Sequence, residues 1–140
     1  MQSTFSTLKP ARIWIGHWLI AVAALHTLYA GLVFGNVFLA IGQRVLINGV
    51  GLDPLRGVAV WFLLFGVLLA VLGLAIVPLE RIRQASSMRL LGWCMLFVCA
   101  LGIALMPASG FWLALPPTLA LIRKRDAANA ALSNTALIKV

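Results

Sequence analysis

The chain has 140 residues, 63% of them hydrophobic and only 10% charged, with a mean hydropathy of +1.06. Soluble domains carry charged residues at about a quarter of the total, so the composition excludes a soluble globular protein. The formal net charge is +8, but nine of the eleven Lys and Arg residues fall before the first apolar run, in the middle loop and in the tail; that placement reads as membrane topology and argues against a nucleic-acid partner. Apolar runs of about 20 residues suit helices that cross hydrocarbon. They show no alternation of period two, which argues against a β-barrel. The expected fold is all-α: a four-transmembrane-helix antiparallel bundle with a short interfacial segment between the first two helices. It forms a single membrane domain over residues 1–125, followed by a cytoplasmic tail over 126–140.

Residues 1–11 are polar, and Pro10 suits a helix start. Arg12, Trp14 and Trp18 make a basic and aromatic anchor at the interface. The first span covers about 13–35 and holds His17 and His26. Its apolar stretch is longer than the h-region of a signal peptide, so it is expected to be a retained span. Residues 36–56 carry Val37, Phe38, Ile41, Val45, Leu46 and Ile47 in a broken helical pattern, with Gln43 and Arg44 on another face. That pattern fits a short amphipathic segment in the interface, either a plain cover for the bundle or a lid over a ligand. Asn48-Gly49 and Asp53-Pro54 are turn signals that close it.

The second span is expected over 57–77, ending at Pro78. Residues 79–89, with Glu80, Arg81, Arg83 and Arg89, read as a short basic loop. The third span covers 90–106. Pro107-Ala108-Ser109-Gly110 is a tight turn that makes the third and fourth helices antiparallel neighbours, with Ser109 as an N-cap candidate. The fourth span, over 110–123, is short; even from Ser109 to Arg125 it is about 25 Å at the helical rise. Pro116-Pro117 in its middle is expected to kink it. Arg123-Lys124-Arg125 ends it. With four alternating helices, all three cation groups share one side, and the positive-inside rule puts both termini in the cytoplasm.

An ionisable residue inside the membrane is a functional-site candidate by default. His26 lies about 20 Å along the helix from Ile13, on a face shared with Ala23, Ala30 and Val33 and with Tyr29 one turn on. The alternative is a structural histidine bonded to a backbone carbonyl or to the hydroxyl of Thr27, Tyr29 or Thr118. His17, half a turn around the same helix, lies near the cytoplasmic end and reads as structural. The two cannot ligate one metal or haem within a single copy, and no cofactor is assigned. Cys94 and Cys99 read as buried free thiols. On the outer side, Asp53 and Arg56 with Trp61 and Trp112 could hold a lipid head group or small polar ligand; the alternative is a structural ion pair with an aromatic belt. The ligand-site set is therefore His26, Tyr29, Asp53, Arg56, Trp61 and Trp112.

Asp53, Glu80 and Asp126 all fall in expected loops, which weakens a proton-coupled exporter. No catalytic triad, phosphate loop or zinc motif is present. Gly31 with Gly35, Gly66 with Gly73, and Gly92 with Cys99 are spaced for close helix packing, within one copy or in a homo-oligomer.

Gly16-His17, Leu25-His26-Thr27, Asp53-Pro54, Arg56, Trp61-Phe62, Phe65-Gly66, the run LMPASGFW from Leu105 to Trp112, and Pro116-Pro117 together resemble a family of small bacterial inner-membrane proteins of unknown function. The resemblance spans about 13–125. It implies four helices and a bacterial inner membrane, and no activity. The arrangement is also loosely similar to DoxX-type four-helix proteins. The reading that follows is a non-enzymatic module binding a lipid, quinone or other hydrophobic ligand, with membrane lipids, a second copy or a membrane subunit as partners. The alternatives are a small transporter subunit and a membrane redox accessory.

Overall fold

The computed structural model describes residues 13–43, 49–82 and 84–124, and the described residues are helical with short connections. Helix α1 runs Ile15–Gly42, α2 Pro54–Ile82 and α3 Ala85–Leu105; a 3₁₀ segment, Gly110–Ala114, leads into α4, Leu115–Ile122. The first three are long and apolar enough to cross a membrane, while the apolar stretch Gly110–Ile122 is shorter.

The chain folds as two antiparallel pairs, α1 on α2 and α3 on α4, joined through contacts of α1 with α4. Glycines set both pairings. Gly16 and Gly73 face each other across α1 and α2, where an added Cβ would lie 2.6 and 2.9 Å from the opposite carbonyl oxygen. Farther along, Gly66 faces His26 and Thr27. In the other pair Gly92 lies against Leu121 and Ile122, and Gly102 against the Phe111 ring. Missing side chains at these points let backbones approach, which is how helices pack where lipid removes the hydrophobic drive. Gly31 and Gly35, by contrast, face open space.

The buried core is Ile15, Leu19, Ile76, Met88, Met95 and Leu121, gathered toward the end where α1 and α3 begin and α2 and α4 finish. Most other large apolar side chains point outward, Leu32 at 77% and Leu105 at 72% exposure, as hydrocarbon-facing residues do.

Several boundaries differ from the sequence expectation. Helix α1 does not stop at Gly35 but continues through Val37, Phe38 and Ile41 to Gly42. The first half of the expected interfacial segment is thus the last two turns of α1, and Arg44 through Asn48 lie outside the described residues. The turn before α2 uses Gly51 at φ 56°. Asp53 then caps α2, its Oδ1 accepting from the N–H groups of Leu55 at 3.0 Å and Arg56 at 3.4 Å. Pro78 lies inside α2, one turn before its end at Ile82; proline there forfeits one backbone bond without ending the helix. Pro116-Pro117 sits in the first turn of α4, where a missing N–H has no intrahelical acceptor to lose, so no kink divides the helix there. Ser109 precedes the 3₁₀ segment without making a side-chain cap.

Candidate functional site

His26 and Phe62 are the centre of the aromatic cluster. The carbonyl of Phe62 can only accept, so the 3.0 Å contact with His26 Nε2 is an Nε2–H donating to that oxygen. The imidazole lies flat on the Phe62 ring, centroids 4.0 Å apart and planes 15° from parallel. Gly66, one turn beyond Phe62, makes this possible: a Cβ there would stand 3.0 Å from His26 Cδ2 and 2.8 Å from Thr27 Oγ1.

Phe62 also meets Tyr29 at 6.0 Å and Phe34 at 5.7 Å between centroids. Phe65 tilts against His26 at 5.5 Å and stands edge-on to Phe111 at 6.0 Å. The cluster therefore joins α1, α2 and the 3₁₀ segment. His26 is half-buried, and Tyr29 is 56% exposed. Of the carbonyl and hydroxyl partners weighed for His26, the structure selects a carbonyl; the Thr118 hydroxyl donates instead to Ala114 O at 2.6 Å.

The other candidate residues lie elsewhere. Asp53 and Arg56 form an ion pair at 3.1 Å, at the start of α2 and about 9–13 Å along the axis from Phe62. Trp61 is 71% exposed. Trp112 donates its Nε1–H to Pro107 O at 2.8 Å, which ties down the turn it follows. Among the described residues no hydrogen bond, ion pair or ring contact links Asp53, Arg56, Trp61 and Trp112 to His26. His17 is exposed beside Trp14 and Trp18 in an open recess with Ile13 and Ala21. Trp18 Nε1–H donates to Leu113 O at 2.9 Å and so ties α1 to the 3₁₀ segment. Cys94 is exposed and Cys99 buried beside Thr118. Among the described residues no three His, Cys, Asp or Glu side chains gather as a metal site would need.

Glu80 overturns its expected place in a loop. It sits in the last turn of α2 at 1% exposure. Its Oε2 accepts the Gly16 N–H at 3.1 Å, and its Oε1 stands 3.4 Å from Lys124 Nζ. The carboxylate therefore satisfies one of the unpaired donors at the start of α1, where an anion also suits the helix dipole. The sequence holds one hint of this, an acidic residue following an unbroken apolar run at Ile76-Val77-Pro78-Leu79.

Three membrane-length apolar helices and a short fourth, bound by glycine contacts and a buried carboxylate, define a small integral membrane protein with a polar group inside an aromatic cluster. The chain belongs to a family of unknown function, DUF6463, whose family model matches residues 10–128. No curated protein and no solved structure matches it.

Proposed function

We propose that the protein is a non-enzymatic module of the bacterial inner membrane that binds a lipid, a quinone or another hydrophobic ligand at the His26–Phe62 cluster. The observation that carries this reading is an imidazole inside an apolar helix, braced on one ring and flanked by exposed aromatic surface at Tyr29 and Phe65. Intramembrane polar groups are costly and are kept where they face a partner or a site. Aromatic walls with one or two placed polar atoms are the usual make-up of a small-molecule site. Lipids, a second copy or another membrane subunit are the partners that fit its exposed apolar faces.

The same reading puts both termini in the cytoplasm. Arg81, Arg123 and Lys124 share the end of the bundle where α1 begins, and Arg56 lies at the other.

A second reading, a small transporter, draws support from Glu80, a carboxylate within a membrane-length helix. It is the weaker one, because both Glu80 oxygens are engaged by Gly16 and Lys124. Native mass spectrometry of the detergent-purified protein tests the first reading: a co-purifying lipid or quinone that is lost on His26→Ala is expected. An empty wild-type protein would sink it. Uptake into liposomes driven by a proton gradient and abolished by Glu80→Gln would favour the transporter instead.

A further inference from the structure

The bond between His26 and Phe62 does more than hold a ring in place. A carbonyl oxygen has no proton to give, so the contact at 3.0 Å fixes the proton of the imidazole on Nε2. In the uncharged imidazole that tautomer leaves Nδ1 with a bare lone pair, an acceptor and not a donor. The ring's Cδ2 edge faces Gly66 and α2. Nδ1 lies on the opposite edge, across Cγ, and so is turned away from that contact. It has no hydrogen-bond partner among the described residues, and it is not among their enclosed polar atoms.

An acceptor at membrane depth discriminates among ligands by what they can donate. A quinone head offers only carbonyl oxygens, which would meet the Nδ1 lone pair oxygen to nitrogen with no proton between. A phospholipid ester does the same. The reduced head, a quinol, carries phenolic hydroxyls that can donate to Nδ1. Its flat ring matches the surface offered by Phe65, 38% exposed, and Tyr29, 56% exposed, through offset or edge-on stacking. Tyr29 follows His26 by three residues and so shares its face. Its hydroxyl can donate or accept and so suits a ligand that carries a second oxygen.

We propose that the His26 site selects the hydroxyl-bearing, reduced form of a ring-headed membrane ligand, a quinol over its quinone. The inference rests on the reading of the His26–Phe62 cluster as a hydrophobic-ligand site and adds which form that site takes. It concerns binding alone, and the redox state of the ligand is set elsewhere in the membrane.

The experiment uses the full chain in nanodiscs, with a decyl-substituted benzoquinol and the matching benzoquinone as probes under anaerobic conditions. Binding of the quinol about tenfold tighter than the quinone is expected, the ratio that one well-formed hydrogen bond supplies. In histidine labelled with nitrogen-15, the Nδ1 resonance of His26 should move toward that of a hydrogen-bonded nitrogen on adding quinol and stay in place on adding quinone. His26→Phe keeps a ring to stack on Phe62 and removes the acceptor, so both probes should then bind alike. If that variant fails to fold, the resonance of the unmodified protein still decides. Equal binding of the two probes to the wild type, or a preference for the quinone, overturns the selectivity while leaving the ligand site standing. Binding of neither probe, with a phospholipid retained, overturns the quinol; binding of nothing at all overturns the site as well.

Discussion

Glu80 Oε2 accepts the backbone N–H of Gly16 at 3.1 Å, across two helices whose residues lie 64 apart in the chain. Gly16 can come this close only because it lacks a side chain, since a Cβ would run into Val77 and the carbonyl of Gly73. The same carboxylate reaches Lys124 Nζ at 3.4 Å, so α1, α2 and the end of α4 meet at one buried acid. Lys124 is 30% exposed at its side chain and Glu80 not at all.

This asymmetry sets the order of two substitutions. Lys124→Ala leaves a fully buried carboxylate with one backbone donor and no cation, and should cost about 3 kcal/mol. Glu80→Gln keeps an oxygen for Gly16, removes the buried charge, and lets Lys124 turn outward along its own stem, so about 1 kcal/mol is expected. Reversible unfolding in mixed micelles measures both. In the double variant, Glu80→Gln should rescue part of the Lys124→Ala loss, which separates the ion pair from simple side-chain packing.

Glycine substitutions should divide into two groups. Ala at Gly16 or Gly73 must push α1 from α2, because what it meets is backbone on the facing helix; overpacking of that kind costs about 1–3 kcal/mol. Ala at Gly31 or Gly35 meets nothing within 4 Å and should leave stability unchanged or raise it by up to about 1 kcal/mol. If Gly31 and Gly35 instead serve contact between two copies, Gly31→Leu will shift the oligomer by cross-linking or light scattering without affecting the fold of one chain.

These contrasts show what the sequence makes legible. Apolar runs of membrane length mark the long helices directly, and the seven-residue spacing of Gly66 and Gly73 marks the face of α2 that meets α1. Helix ends are less legible, for physical reasons. Pro78 reads as a stop because proline usually is one, yet α2 continues a full turn past it to Ile82. Pro116-Pro117 reads as a mid-helix kink until the preceding 3₁₀ segment shows that both residues begin the helix. Glu80 reads as part of a solvated basic loop because its neighbours Arg81 and Arg83 are charged. Its partners, Gly16 and Lys124, are distant in the chain, and no local pattern reveals them. At the candidate site the polar residue was visible and its surroundings were not: His26 stands out in an apolar run, whereas Phe34, Phe62, Phe65 and Phe111 look like any lipid-facing aromatics.

Gly66 offers a test of the His26 geometry that leaves the histidine itself intact. Ala at this position would place a Cβ 2.8 Å from Thr27 Oγ1 and 3.0 Å from His26 Cδ2, forcing the imidazole off the Phe62 carbonyl. Loss of any co-purifying ligand is expected, together with a changed nitrogen-15 spectrum of the His26 ring. Gly57→Ala, on the same helix with nothing within 4 Å, is the control and should bind as the wild type does. Retained ligand and an unchanged spectrum in Gly66→Ala would separate the site from this contact.

Orientation can be tested with single cysteines in a chain whose own thiols are removed by Cys94→Ala and Cys99→Ala. Leu52 lies in the turn between α1 and α2 and is fully exposed, at 101%. Gln84, exposed between α2 and α3, lies at the opposite end of the bundle, beside Arg81 and the start of α3. Cations are retained on the cytoplasmic side, and Arg81, Arg123 and Lys124 all mark the Gln84 end. A membrane-impermeant maleimide added to intact bacterial cells, with the outer membrane made permeable, should therefore label Leu52→Cys and spare Gln84→Cys. After lysis both should react. Labelling of Gln84→Cys alone in intact cells would invert the bundle and with it the assignment of both termini to the cytoplasm.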